Sequence, residues 1–222
     1  MYISLGHYNY VEYIEKMKIL TYLLTLFLFL SPISAKEFRI DFSDEGMKAL
    51  KKKGLGKKTI YTNGKDDKGW FLKAEADSGA TGLGMEIDKE LLKEMPFLNI
   101  AFKIEKDFDS IDQKTKDGHD WTARVMVGFG KKIGSKLVSL SHSSFLEEGF
   151  TQKSPWNPKK SVDYVISNDK SGEWHTRKIN VRELLEKTHN ISFTNFIAVF
   201  SDSNNSKQKI IAYYRDIYFS SE

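Results

Sequence analysis

The chain has no cysteine among its 222 residues. That excludes a disulfide framework, a thiolate zinc centre, a thiol nucleophile and a lipid-modified cysteine behind an export signal. No apolar run reaches the roughly 20 residues that a helix needs to cross a bilayer. Neither sign of charge dominates: 34 Lys and Arg stand against 30 Asp and Glu, a formal net charge of +4. A dedicated nucleic-acid binder carries a stronger basic excess, so no nucleic-acid partner is expected. Repeats and low-complexity segments are missing too. What is present is 40% apolar residues, too many for a disordered tail and enough, in a domain this long, to supply a core without covalent staples.

The first 35 residues read as an address. Lys16 and Lys18 precede the apolar run 19–30 (ILTYLLTLFLFL), and Ser31, Pro32, Ile33, Ser34 and Ala35 follow it. That is the order of a cleavable signal peptide, with a run too short for an anchor. Cleavage is expected after Ala35 and a periplasmic or secreted location follows; the acidic, tyrosine-rich stretch before Met17 suggests that translation starts there. The segment holds two charges of each sign, so the mature chain 36–222, read as one domain, keeps the net charge.

Beyond it, short runs with two-residue alternation or dense β-branched and aromatic content recur between clusters of Gly, Asp, Asn, Ser and Lys. Strands are expected at 38–42, 58–62, 70–76, 83–87, 98–105, 122–129, 136–142, 162–167, 174–179, 193–201 and 210–219. This predicts a two-sheet antiparallel β-sandwich of the jelly-roll type. Two or three short peripheral helices decorate it: 44–53 capped by Ser43 and stopped by Gly54, 89–95 stopped by Pro96, and 181–188 capped by Asn180. Residues 107–118 read as a long polar loop.

Several motifs fail on inspection. Residues 54–59 (GLGKKT) lack the first glycine of a phosphate loop, and the glycines of 79–84 (GATGLG) are in the wrong order for a dinucleotide site. His119, His142, His175 and His189 are far apart in sequence and form no local ligand pair. Three clusters remain. Asp120, Thr122 and Arg124 alternate along one strand, which would put a carboxylate and a guanidinium on one face. Asp202, Ser203, Asn204, Asn205 and Ser206 supply oxygen atoms suited either to calcium or to an Asx-type turn. In the last strand Ala212, Tyr214, Asp216 and Tyr218 share a side, where Asp216 needs a partner. Asp41 of the first strand is one place where metal ligands could converge with it.

Taken in order, these stretches resemble a family of exported bacterial proteins known as domain of unknown function 3047. The resemblance runs through 59–61, 72–76 leading to 79–83, 96–103, 118–124, 154–156, 174–181, 202–206 and 214–219. The chain departs from the family pattern at His119-Asp120, where paired aspartates stand, at 99–103, where tryptophan is usual, and at Asn204, where a second acid would be. The resemblance brings no established activity. It implies a galactose-binding-like or carbohydrate-module-like jelly roll, in which an acidic first strand and an Asp-Ile last strand frame a structural calcium ion, here Asp41 and Asp216.

Three functions fit. The first is a non-catalytic module binding a glycan or similar polar ligand, with Asp120, Arg124, Trp156, Asp202, Asn204, Tyr214 and Asp216 as ligand-binding candidates. Trp156, between Pro155 and Pro158, is the tryptophan expected to be most exposed. The second is a hydrolase or lyase on surface polysaccharide, using two facing carboxylates among Asp120, Asp202 and Asp216. The third is a structural envelope protein. The missing catalytic motif favours the first.

Overall fold

The computed structural model describes residues 15–18, 36–54, 56–130 and 135–222. Residues 15–18 form a helical turn. The expected export run 19–30 and cleavage segment 31–35 lie outside the described residues, and no described helix is long and apolar enough to cross a membrane. Lys36–Glu222 is a compact unit with its own core.

That unit is a sandwich of two sheets. The first is six-stranded, in the order β11 (His175–Asn180), β6 (Phe97–Lys106), β13 (Lys209–Ser220), β4 (Gly69–Asp77) and β3 (Ile60–Asp66), with β1 (Glu37–Arg39) beside the end of β13. The second is seven-stranded: β2 (Lys51–Gly54), β5 (Ala80–Glu86), β12 (Phe196–Asp202), β7 (Trp121–Phe129), β8 (Lys136–His142), β10 (Ser161–Ser167) and β9 (Thr151–Lys153). All pairings are antiparallel except β8 with β10, which run parallel; the second sheet is therefore mixed. Helices α1 (Asp44–Ala49), α2 (Leu91–Glu94) and α3 (Val181–His189) lie between strands.

Every expected strand is present. Alternation predicted them because one face of each sheet is dry: in β4 Leu72, Ala74 and Ala76 are buried while Phe71, Lys73 and Glu75 are half-buried. Leu72 and Ala74 share a core with Ile100, Phe102 and Ala212 from their own sheet and Val125, Val127, Leu140, Ile197 and Val199 from the other, while Ala76 packs in a smaller cluster with Phe108 and Ile210. Each of the larger side chains, Val, Leu, Ile and Phe, contributes about 1.5–3 kcal/mol on burial. Local capping holds as well, since the Asn180 side chain accepts from the Glu183 N–H at 3.1 Å and Ser43 accepts from Gly46.

Two bulges decide which residues face the core. In β13 the register shifts between Arg215 and Tyr218, and Asp216 takes φ +48°, a left-handed conformation that favours glycine. The slip moves the inward set from Ala212 and Tyr214 to Ile217 and Phe219, so both apolar runs stay buried. Asp216 and Tyr218 are turned out of the core, contrary to the uninterrupted alternation expected of this strand. In β7, Arg124 pairs with Phe200 and Trp121 with Asp202, leaving Thr122 and Ala123 together opposite Ser201.

A bulge interrupts the ladder, and the freed backbone groups need partners. Two tyrosines of the first sheet reach across the core to the second: Tyr214 supplies them at the bulge, and Tyr61 bridges β12 to β5 on the other side of the same strand. The Tyr214 hydroxyl accepts from the Arg124 N–H at 3.1 Å and donates to the Phe200 carbonyl at 3.0 Å, with the Ser201 hydroxyl at 2.8 Å. The Tyr61 hydroxyl accepts from the Ser201 N–H at 3.2 Å and donates to the Thr81 carbonyl at 2.7 Å. Burial pushes both phenols above their usual range.

The expected helix 44–53 is shorter. It ends at Ala49, Leu50 is extended at ψ 129°, and Lys51–Gly54 pair with β5 instead. Removing the Tyr214 hydroxyl should cost about 1–3 kcal/mol, because a buried N–H and carbonyl lose their partner. Urea unfolding of Tyr214→Phe should show a lower midpoint with an unchanged slope.

Candidate functional site

Residues 107–120 form a loop without strand, as its polar sequence implies, yet it is pinned firmly. At one end the Thr122 and Ser144 hydroxyls donate to Asp107, and His142 Nε2 lies 3.3 Å from it. Burial works to raise the Asp107 carboxyl, but hydrogen bonds from His142, Ser144 and Thr122 outweigh it and hold it below the ordinary range. In the middle sits buried Gln113: its amide nitrogen donates to the Asp120 carbonyl at 2.8 Å and its side-chain oxygen accepts from Ser143. The Gln113 backbone carbonyl accepts from the Gln152 amide at 2.9 Å, which ties the loop to β9. At the far end His119 Nε2 lies 2.7 Å from the buried Asp163 carboxylate. Gly118 closes the turn: a Cβ there would sit 2.3 Å from the Asp112 carbonyl oxygen.

So pinned, the loop carries two lysines to aromatic rings. The Lys114 ammonium is 5.6 Å from the centre of Phe150, and that of Lys116 is 5.6 Å from the centre of Trp156, within cation–π range. Trp156 is 58% exposed. Its segment between β9 and β10 is fixed by backbone hydrogen bonds from Ser154 to Ser161 at 2.9 Å, Asn157 to Ser154 at 3.2 Å and Lys160 to Asn157 at 3.0 Å. The other tryptophans differ: Trp121 is fully buried, and Trp70 and Trp174 are half-buried.

Most of the remaining sequence candidates turn out to be braces. Asp120 is wholly buried and accepts from the backbone N–H groups of Asn205 and Ser206 at 3.1 and 2.6 Å. Arg124 is buried, places Nη2 2.9 Å from Asp202 and lies over the Phe200 ring at 4.8 Å. Asp120, Thr122 and Arg124 thus reach three separate partners rather than sharing one face, because the β7 bulge breaks the alternation. Asn204 is half-buried and contacts Asn205 at 3.3 Å. Tyr214 belongs to the core. Asp216 projects to the surface and pairs with Arg39 at 2.7 Å. The Asp41 carboxylate caps its own turn, accepting from the Ser43 N–H at 2.8 Å and hydroxyl at 2.7 Å.

The partner that Asp216 needs is therefore Arg39. Among the described residues no group of three or more His, Asp or Glu side chains is arranged to hold a metal ion. Asp120, Asp202 and Asp216, the acids offered for paired-carboxylate chemistry, are each committed to a protein partner.

Sequence reasoning missed the outer face of the first sheet. There Arg215 lies 4.0 Å over the Trp174 ring and Lys103 4.6 Å over Tyr213, with Phe71 edge-on to Tyr213 at 5.7 Å. Alternation along β4, β6 and β13 would have found these residues. Trp174 is half-buried beneath Arg215, whereas Trp156, with Lys116 over its ring, is the most exposed tryptophan. Reasoning also missed Lys114, Lys116 and Gln113, for which the sequence carries no local signal.

A family profile described as protein of unknown function (DUF3047) matches residues 46–218. Among curated proteins none matches. Solved structures with a similar chain path include the family 11 carbohydrate-binding module of a cellulosomal cellulase from Clostridium thermocellum, 11% identical, covering 84% of this chain and 95% of that one with a TM-score of 0.47. The family 11 module from Clostridium thermocellum in complex with a β-1,3-1,4-mixed-linked tetrasaccharide is 11% identical over 82% and 94%, with a TM-score of 0.46. The xyloglucanase domain of a type three effector from Sinorhizobium fredii, in complex with cellobiose, is 10% identical over 75% and 90%, with a TM-score of 0.42. At these scores the likeness adds nothing to what the two sheets already establish, and no function is carried across.

Burial outweighs the attraction of Arg124 and pushes the Asp202 carboxyl up to about 6, with Asp120 adding to the rise. A carboxyl with a higher pKa folded than unfolded takes up protons on folding, so its contribution falls as pH rises. Between pH of about 4 and about 6 the wild type should lose stability relative to Asp202→Asn, and melting curves across that window check it. Gly118→Ala should cost roughly 1–3 kcal/mol through overpacking against Asp112, read by urea denaturation.

Proposed function

The chain belongs to the DUF3047 family of proteins of unknown function, and we propose that it is an exported, non-catalytic module that binds a glycan through Trp156. One observation carries the reading: a large aromatic ring, 58% exposed, held on a segment that backbone hydrogen bonds and two prolines keep in place. Exposing an indole forfeits the burial energy that the other tryptophans collect, and a ring kept out of the core is available to a ligand. A rigid indole loses little freedom on binding, and its flat face matches the C–H face of a pyranose ring. The anchored 107–120 loop then acts as scaffold, with Asp120, Arg124 and Asp202 as positioning residues.

Export is supported by the order of charge, apolar run and small residues in 1–35. Catalysis by paired carboxylates finds less support, because Asp120 and Asp202 are buried in hydrogen bonds and Asp216 is held by Arg39.

The purified protein should be retained on an array of neutral and acidic glycans. Trp156→Ala should weaken retention at least tenfold, about 1.4 kcal/mol, with its melting temperature unchanged. A wild-type protein that no glycan retains would overturn the reading.

A further inference from the structure

The two segments that build the surface at Trp156 expose more lysines than acids. Lys114 and Lys116 arrive on the anchored loop, while Lys153 ends β9 and Lys159 and Lys160 follow Trp156 within its own segment. All five are exposed, and none pairs with a carboxylate among the described residues. Elsewhere some surface lysines find acids, as in Lys36 with Glu94, Lys48 with Glu45 and Lys73 with Glu75, and others such as Lys58, Lys89 and Lys187 do not among the described residues. Residues 107–120 and 151–160 together contain five aspartates: Asp107 and Asp120 are committed to hydrogen bonds, and Asp109, Asp112 and Asp117 are exposed, with Asp112 already accepting the Lys114 backbone N–H at 3.1 Å. On the surface of these segments the five exposed lysines outnumber the three exposed aspartates by two.

Protection of an exposed edge explains Lys153, since β9 closes the second sheet and lysine discourages strand pairing. It does not explain Lys114 and Lys116, which come from a separate loop and lie over aromatic rings. Gln113, buried at the root of both, fixes that placement through Gln152, Ser143 and Asp120. An exposed indole with one ammonium group over its ring, and Lys159 and Lys160 following it in the chain, offers stacking and opposite charge to one molecule. We infer that the ligand of this surface is an acidic glycan, a sugar polymer bearing carboxylate or sulfate groups, with Trp156 stacking on a ring and Lys116 and Lys159 meeting its anions. This rests on the reading of Trp156 as a glycan platform and narrows it. Exposed ion pairs are individually weak and screened by salt, so binding is salt-dependent and takes several lysines together.

The test uses the purified protein on immobilised polygalacturonate, its fully methyl-esterified form, dextran and dextran sulfate, at low and at raised salt. Polygalacturonate or dextran sulfate should be retained at least tenfold more tightly than its neutral counterpart, and raised salt should erase the difference. Lys116→Gln with Lys159→Gln should remove most of that preference, while Lys48→Gln with Lys187→Gln, which lowers net charge equally at other positions, should leave it intact. Trp156→Ala should abolish retention on both charged polymers.

Retention of dextran or the methyl ester as tightly as the charged forms would overturn the acidic class and leave the glycan reading standing. Retention of none of the four removes the acidic inference, and only failure on the wider array removes the glycan reading too. Equal loss in both double variants would show that net charge, not this surface, attracts the polymer. Equally tight binding to single-stranded DNA or to anionic phospholipid vesicles would replace the glycan by a polyanion in general; either result overturns the inference.

Discussion

Two tyrosine hydroxyls that cross the core hold the rest of this protein in register. The β7 bulge sets Thr122 and Ala123 together against Ser201 and interrupts the ladder between β7 and β12. Tyr214, from the opposite sheet, satisfies the backbone there, and Tyr61 ties the same stretch of β12 to β5. Without Tyr214 a buried break in the β7–β12 pair would stand unpaired, at a cost of about 1–3 kcal/mol for each orphaned group. The bulge in turn aims Arg124 at Asp202 and sends Thr122 to Asp107. One polar anchor of the 107–120 loop, Thr122 on Asp107, thus comes from the bulged stretch of β7, and others come from β8, β9, β10 and the residues after β8.

From there the chain of consequence runs outward. Asp107, Gln113, His119 and Asp120 fix a loop whose composition alone would leave it mobile. A fixed loop fixes Lys114 and Lys116, and these define one wall of the surface around Trp156. Burial energy is spent in the interior on holding the frame. The exterior is left with one open indole and a set of ammonium groups that no neighbouring acid takes.

Much of this frame was legible in the sequence because it rests on local rules. Alternation in β4 follows from a sheet with one dry face, and Asn180 and Ser43 cap helices through bonds three residues away. The mutual placement of distant segments was not legible. Asp216 slips the alternation of β13 by one residue, so Asp216 and Tyr218 leave the face that Ala212 and Tyr214 occupy, and the Thr122–Ala123 pair slips the register of β7 against β12. Lys51–Gly54 read as a helix end, since nothing local says that β5 has a free edge to receive them. The parallel pairing of β8 with β10 is equally non-local. Trp156 could be found because two prolines flank it; Lys116 could not, because only Gln113, an unremarkable residue in a polar stretch, carries it there.

The four tryptophans make the binding surface directly observable through their indole N–H resonances. Titrating an acidic glycan into isotope-labelled protein should shift the Trp156 signal progressively while that of buried Trp121 stays in place. Saturable binding that leaves Trp156 unmoved and shifts Trp174 or Trp70 instead would place the ligand elsewhere and contradict the role assigned to Trp156.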